Sequence, residues 1–182
     1  LFPGDCDDAV AAATAIQSEL ASFNNERDRD RLPPMEVGIG IHAGVMMLGT
    51  IGEERRLQGT VISEAVGMAA LVEELTAEYG TGMLVTKEFF NRLKRPEVRD
   101  ARFIGWAHLR GRVEEVSLLE IFEADTEDQK AKKRRSKPEF ERGVRLLQEG
   151  QTRAARVVFE SILKENPFDR PAVKFAEECR KG

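Results

Sequence analysis

Hydrophobic period constrains this chain's fold more than any other feature. Between Asp7 and Glu123 the spacing of apolar residues changes repeatedly, whereas from Lys137 onward it keeps the helical spacing. In "DDAVAAATAIQSELASFNNE" the residues Val10, Ala13, Ile16, Leu20 and Phe23 recur every three or four positions. That spacing predicts a helix from Asp7 to about Asn25, with Asp7 and Asp8 at its positive end. Pro33 and Pro34 punctuate the polar stretch after this helix. In "MEVGIGIHAGVMML", Val37, Ile39 and Ile41 alternate with other residues, the period of a strand. "GTIGEERR" then reads as a hairpin connection and "RLQGTVIS" as a second strand. A helix is predicted from about Glu64 to Tyr79, closed by Gly80 in a left-handed cap. "MLVT" reads as a strand, "KEFFNRL" as a short helix ended by Pro96, and "RFIGWAHLRG" with "EVSLLEIFE" as a final strand pair.

This order implies an α+β sheet domain over residues 1–124. "DTEDQKAKKRRSK" lacks large apolar residues and reads as a charged linker or exposed helix start, with the linker set at 125–136. Residues 137–182 read as an α-helical hairpin followed by a capping helix. That tail resembles a single tetratricopeptide repeat: Gly143, Ala155, Phe159 and Pro167 match its small, small, aromatic and terminal-proline positions, and Ile162 departs from the pattern. One repeat cannot bury its own apolar face. The tail is therefore expected to pack on the sheet domain, on another copy or on further repeats, and to be open to a protein partner.

Composition narrows the functional classes. A formal charge of −4, from 28 basic and 32 acidic residues, argues against nucleic acid as the main partner. No apolar run approaches the roughly 18 residues that cross a bilayer. Cys6 and Cys179, at opposite ends, form neither a metal motif nor a disulfide framework, which makes the reducing cytoplasm the expected compartment. The opening "LFPGDCDDAV" carries no initiator Met and no signal-peptide pattern, and reads as part of something longer. Ser63 and Ser117 lack a nucleophile elbow, and "GTIGEERR" lacks the ending of a phosphate-binding loop. The basic run Lys130 to Arg135 reads as a solvated segment.

Four blocks, in order, resemble the class III adenylyl/guanylyl cyclase catalytic domain: "VGIGIHAGVMMLGTIG", "TVISEAVGMAALVEEL", "MLVTKEFF" and "RFIGWAHLRGRVEEVSLLEIFE". The opening "LFPGDCDDAVAAATAIQ" also looks like the family's segment after its second metal carboxylate. The resemblance spans about Leu1 to Glu123. It implies a ferredoxin-like-derived sheet, here lacking its N-terminal strands, and a head-to-tail dimer with sites at the interface. It also implies attack of a ribose 3′-hydroxyl on an α-phosphate, aided by two Mg²⁺ or Mn²⁺ ions on two aspartates. In the family an Asn orients the ribose, and an Arg from the other protomer stabilises the transition state.

Carried over residue by residue, the resemblance puts both metal aspartates upstream of Leu1, so no cofactor and no metal site are expected within these residues. Asp5, Asp7 and Asp8 follow the metal strand and are explained as a helix start. The Asn and Arg positions are Gly67 and Leu71, leaving no catalytic residue. Thr60 falls where the family chooses its purine, and Arg110, in "LRGR", falls where the family has a phosphate-binding Lys. These two are the nucleotide-binding candidates. Glu64, Gly67, Leu71, Glu74 and Glu78 crowd one helix stripe whose three carboxylates repel a triphosphate. His42 is expected to be structural, and His108 carries no assignment.

The expected function is a cyclase-family domain of cyclic-nucleotide signalling that is catalytically degenerate. It would serve as a regulatory or dimerising module, forming homo- or heterodimers with weak ATP affinity. The alternatives are the C-terminal part of a working adenylyl cyclase, completed by upstream segments or a heterodimer partner, and a pure interaction module. These 182 residues alone are expected to be inactive, and an open strand edge is expected to promote self-association.

Overall fold

A computed structural model describes residues 1–51, 58–108 and 115–181, with side-chain detail outside 50–51 and 58–62. Helix α1 (Cys6–Arg29) opens the chain, and Asp5 caps it by accepting a hydrogen bond from the Asp7 amide. It runs four residues past the expected end at Asn25. Only its first half is covered: Ala9, Val10 and Ala13 are buried, whereas Ile16 and Phe23 are exposed. The helix outruns the sheet beneath it, so its apolar stripe continues past the core.

The stretch read as one strand divides in two. Strand β1 (Ile39–Ile41) belongs to the main sheet, and β2 (Met47–Ile51) pairs antiparallel with β3 (Gln58–Ile62) in a separate ribbon. The main sheet has the order β1-β4-β6-β5, with β4 at Met83–Thr86, β5 at Ala101–Ala107 and β6 at Val116–Ile121. β1 runs parallel to β4, and the other two pairings are antiparallel. A bulge in β5 sits between Phe103 and Gly105, where Gly105 takes φ 143°.

Helix α2 (Glu64–Tyr79) has the predicted bounds. Ser63 caps its start, and Gly80 ends it at φ 67°, ψ 37°. The helix lies directly on the backbone of β1. A Cβ at Gly40 would stand 2.2 Å from the Glu73 amide nitrogen, and one at Gly38 would stand 1.9 Å from the Thr76 hydroxyl. The glycines of "VGIGIHAG" therefore provide a helix–strand contact closer than any side chain permits. A short helix, α3 (Lys87–Phe90), and a 3-10 turn (Pro96–Val98) lead into β5.

Three helices complete the chain: α4 (Glu127–Gln148), α5 (Thr152–Glu165) and α6 (Arg170–Lys181). Of the segment 125–136, read as a charged linker or exposed helix start, all but the first two residues belong to α4, which continues through Pro138. Its cations are matched one by one. Lys130 pairs with Glu127, Lys132 with Asp128, Arg134 with Asp100, Arg135 with Glu165, and Lys133 with both Glu120 and Asp125. Charge neutralisation by nearby carboxylates lets a run without large apolar residues hold a helix.

Alternation along the strands gives the sheet two cores. Met83, Val85, Leu119 and Ile121 face α1 and α3. Leu84, Ile104 and Leu118 face α2 and the tail, which contributes Phe140, Val158, Phe159 and Phe175. The tail therefore packs on the sheet, one of the placements its amphipathic pattern required. Among the described residues, no helix is long and apolar enough to cross a membrane.

Candidate functional site

The sequence places its candidate site around the start of α2. Gly67 is exposed, and a Cβ built there would meet nothing within 4 Å among the described residues. Leu71, one turn on, is half-buried and packs against the core shared with the tail. Glu64, Glu74 and Glu78 are exposed, as a solvated stripe requires, and Glu78 pairs with Lys174 of α6 at 2.8 Å. Thr60 sits in β3 opposite Gly49, but its side chain lies outside the described residues. Arg110 lies outside them entirely. Neither nucleotide-binding candidate is therefore placed against Gly67.

The acidic residues at the start of α1 are occupied structurally. Asp5 caps the helix and pairs with Lys94. Asp7 accepts the Lys94 amide at 3.0 Å and pairs with Arg99, which also reaches Glu123. The Lys94 amide, working against partial desolvation and assisted by Arg99, holds the Asp7 carboxyl below its ordinary value. Among the described residues no group of three or more His, Cys, Asp or Glu side chains is gathered as a metal centre. With Asp5 and Asp7 already engaged, the described residues do not fit a two-carboxylate metal site. His42, just beyond β1, shares a 2.9 Å hydrogen bond between its Nδ1 and the Thr86 hydroxyl, which also caps α3. His108 meets Glu115 at the surface. Cys6 and Cys179 are free thiols, both pushed up by burial.

The best-built polar cluster was not among the sequence's candidates. Arg102 in β5 is fully buried, and its register partner across the ladder is Glu120 in β6. Its Nε donates to Glu120 at 2.6 Å, and both terminal nitrogens donate to Asp169, before α6, at 2.7 Å. The guanidinium also lies 3.8 Å from the centroid of the Phe140 ring. Lys133 of α4 donates to the other Glu120 oxygen at 2.7 Å. Burial works against all three charged groups, yet their opposite charges prevail: Arg102 and Lys133 titrate above, and Glu120 below, their ordinary values. Asp125, the outer member, is instead pushed up by burial, with Lys133 opposing. The signal for this cluster was an Arg and a Glu inside the otherwise apolar strands "ARFIGWA" and "VSLLEI". An inward charge in a core strand requires a partner.

A cavity of about 670 Å³ opens where the ends of α1 and α2 meet the tail, with Leu20, Val37, Thr76, Met83, Lys133 and Phe168 on its walls. It adjoins the closing Gly80 of α2, at the end of the helix away from Gly67.

No family model matches the chain. It is 37% identical over 123 residues to an adenylate cyclase of Anabaena cylindrica, covering 65% of this chain and 24% of that protein. It is 25% identical over 151 residues to the terminal-differentiation-specific adenylate cyclase of Dictyostelium discoideum, covering 82% of this chain and 7% of that one. The chain thus spans a quarter or less of the length of these curated relatives. The fold is similar to the crystal structure of the adenylyl cyclase CyaB from P. aeruginosa, with a TM-score of 0.55 at 21% identity over 67% of this chain and 62% of that one. A bacterial light-regulated adenylyl cyclase gives a TM-score of 0.52, covering 67% of this chain and 35% of that one. These sequence relatives and structural neighbours together support a cyclase domain within this chain.

Proposed function

We propose that the chain carries a cyclase domain of cyclic-nucleotide signalling that has lost its own catalytic pair and acts as a regulatory or dimerising module. The observation carrying this reading is the state of α2. At the positions that resemble the family's Asn and Arg stand Gly67, open to solvent with no side chain, and Leu71, packed toward the core. Neither offers a hydrogen bond to a ribose or a charge to a phosphate. Dimerisation is supported by an apolar surface around the ribbon: Val45, Met47, Leu48 and Val66 are all exposed, an arrangement suited to a second subunit. The tail is read as one tetratricopeptide-like unit. Gly143 supports this, since a Cβ there would stand 2.9 Å from the Phe159 ring and the glycine permits the close α4–α5 approach.

The second reading, a working adenylyl cyclase completed by other segments or a heterodimer partner, is favoured by the 37% identity to a cyclase. In it Thr60 and Arg110 hold nucleotide, and Mg²⁺ or Mn²⁺ binds carboxylates outside these residues. Restoring the pair separates the readings. Gly67→Asn with Leu71→Arg in the full-length protein, supplied with ATP and Mn²⁺, should yield cyclic AMP that the unmodified protein does not make. If both proteins make it at equal rates, the domain is not degenerate. If neither does, more than this pair has been lost.

A further inference from the structure

Helix α6 connects the buried charge cluster to α2. Asp169, gripped by both terminal nitrogens of Arg102, also caps α6: its carboxylate accepts the Ala172 amide at 3.3 Å and its carbonyl the Val173 amide at 2.9 Å. One residue therefore anchors the tail to β5 and starts the helix. One turn along, α6 presents Lys174 and Phe175 to the last turn of α2. Lys174 pairs with Glu78 and lies 4.8 Å from the Tyr79 ring centroid, while Phe175 meets that ring at 5.8 Å. Arg170 sits at the cap itself: a Cβ on Gly80 would stand 2.9 Å from the Arg170 Cβ. Arg170 also reaches across to Glu36, ahead of β1, at 2.9 Å. The closing turn of α2 is thus held by α6, and α6 by Arg102. Nothing equivalent covers Gly67 among the described residues.

We propose that the tail is an intramolecular brace whose attachment at Arg102 sets the order of the second half of α2. Release of the tail is then transmitted to the helix that carries Gly67 and Leu71. A buried ionic anchor suits such a device because it is either fully paired or broken: removing one partner strands the others as buried charges. The docked tail observed here is one state, and a released tail would be the second that transmission between distant sites requires. The inference holds whether or not the domain is a cyclase, because it concerns the order of α2 alone.

Hydrogen exchange read by mass spectrometry on the full chain tests it. With Asp169→Ala, α6 and residues 72–79 should exchange on the order of tenfold faster while residues 6–13 of α1 keep their rate. Faster exchange in α6 with residues 72–79 unchanged would overturn the proposal. Should Asp169→Ala unfold the chain, Lys174→Met keeps the Arg102 anchor and the packing of Phe175 on Phe140 and Phe159, and removes only the contacts of Lys174 with Glu78 and Tyr79. Faster exchange at residues 72–79 with α6 still protected supports the brace; unchanged α2 rates in that variant refute it.

Discussion

The two ends of α2 differ in how they are built. Its start is capped by Ser63 and then left open, with an exposed Gly67 that meets nothing among the described residues. Its end is closed by Gly80, pressed by Phe175, paired through Glu78 and connected to the buried Arg102 cluster. Tyr79 records the difference: burial, with Glu78 and Glu178 adding to it, pushes its phenol up to about 12. One helix thus has an open start and an end that α6 holds by an ion pair and ring contacts. Side chains at the closing end hold the domain together, whereas Gly67 near the start meets nothing among the described residues.

The comparison can be broken most forcefully at Arg102. Arg102→Ala leaves Glu120, Asp169 and Lys133 buried without their central partner, and should cost about 3–5 kcal/mol in denaturant melts. A loss below about 1 kcal/mol would mean the locked end is not held by charge. Gly40→Ala tests the seam beneath the middle of the helix. A Cβ there would meet the backbone of Glu73 and Ala69 at 2.2–2.7 Å, so overpacking should cost about 1–3 kcal/mol and loosen both ends together.

Acid should act on the buried Arg102 cluster. Glu120 titrates below its ordinary 4.5 in the folded chain, so it contributes stability above that value that is lost as pH falls through its lower folded value. Asp125 has the opposite sign. Its raised value favours folding at low pH, and that contribution fades as pH rises through it. Glu120 is the more deeply buried and doubly paired, so net stability should fall below pH 4.5. That slope should flatten in Glu120→Gln, measured as melting temperature against pH. The smallest effect belongs to the open end: Gly67→Ala should stabilise by about 1 kcal/mol, because it removes a helix-interior glycine and meets no neighbour. Destabilisation instead would reveal a contact at the end described as bare.

Much of this was legible in the sequence, for reasons that differ by residue. The end of α2 was read from Gly80, a local signal, and the structure adds Ser63 as the cap at its start. The split of "MEVGIGIHAGVMML" into β1 and β2 was hidden because alternation reports a strand and not which sheet it joins. The extent of the helix through Lys130 to Arg135 was only half legible: the local pairs of Lys130 and Lys132 could be read, but Asp100, Glu120 and Glu165 lie up to 34 residues away in sequence. Asp169 was hidden most completely, since its grip on Arg102 spans 67 residues. Long-range polar pairing leaves no periodic trace.

The bareness of the open end is the claim on which the function rests. Its most direct test is cyclic AMP formation from ATP and Mn²⁺ by the full-length protein without any partner. The account predicts no product above that of a heat-denatured control. Sustained metal-dependent product would contradict it, and would mean that Gly67 and Leu71 do not mark the loss of catalysis.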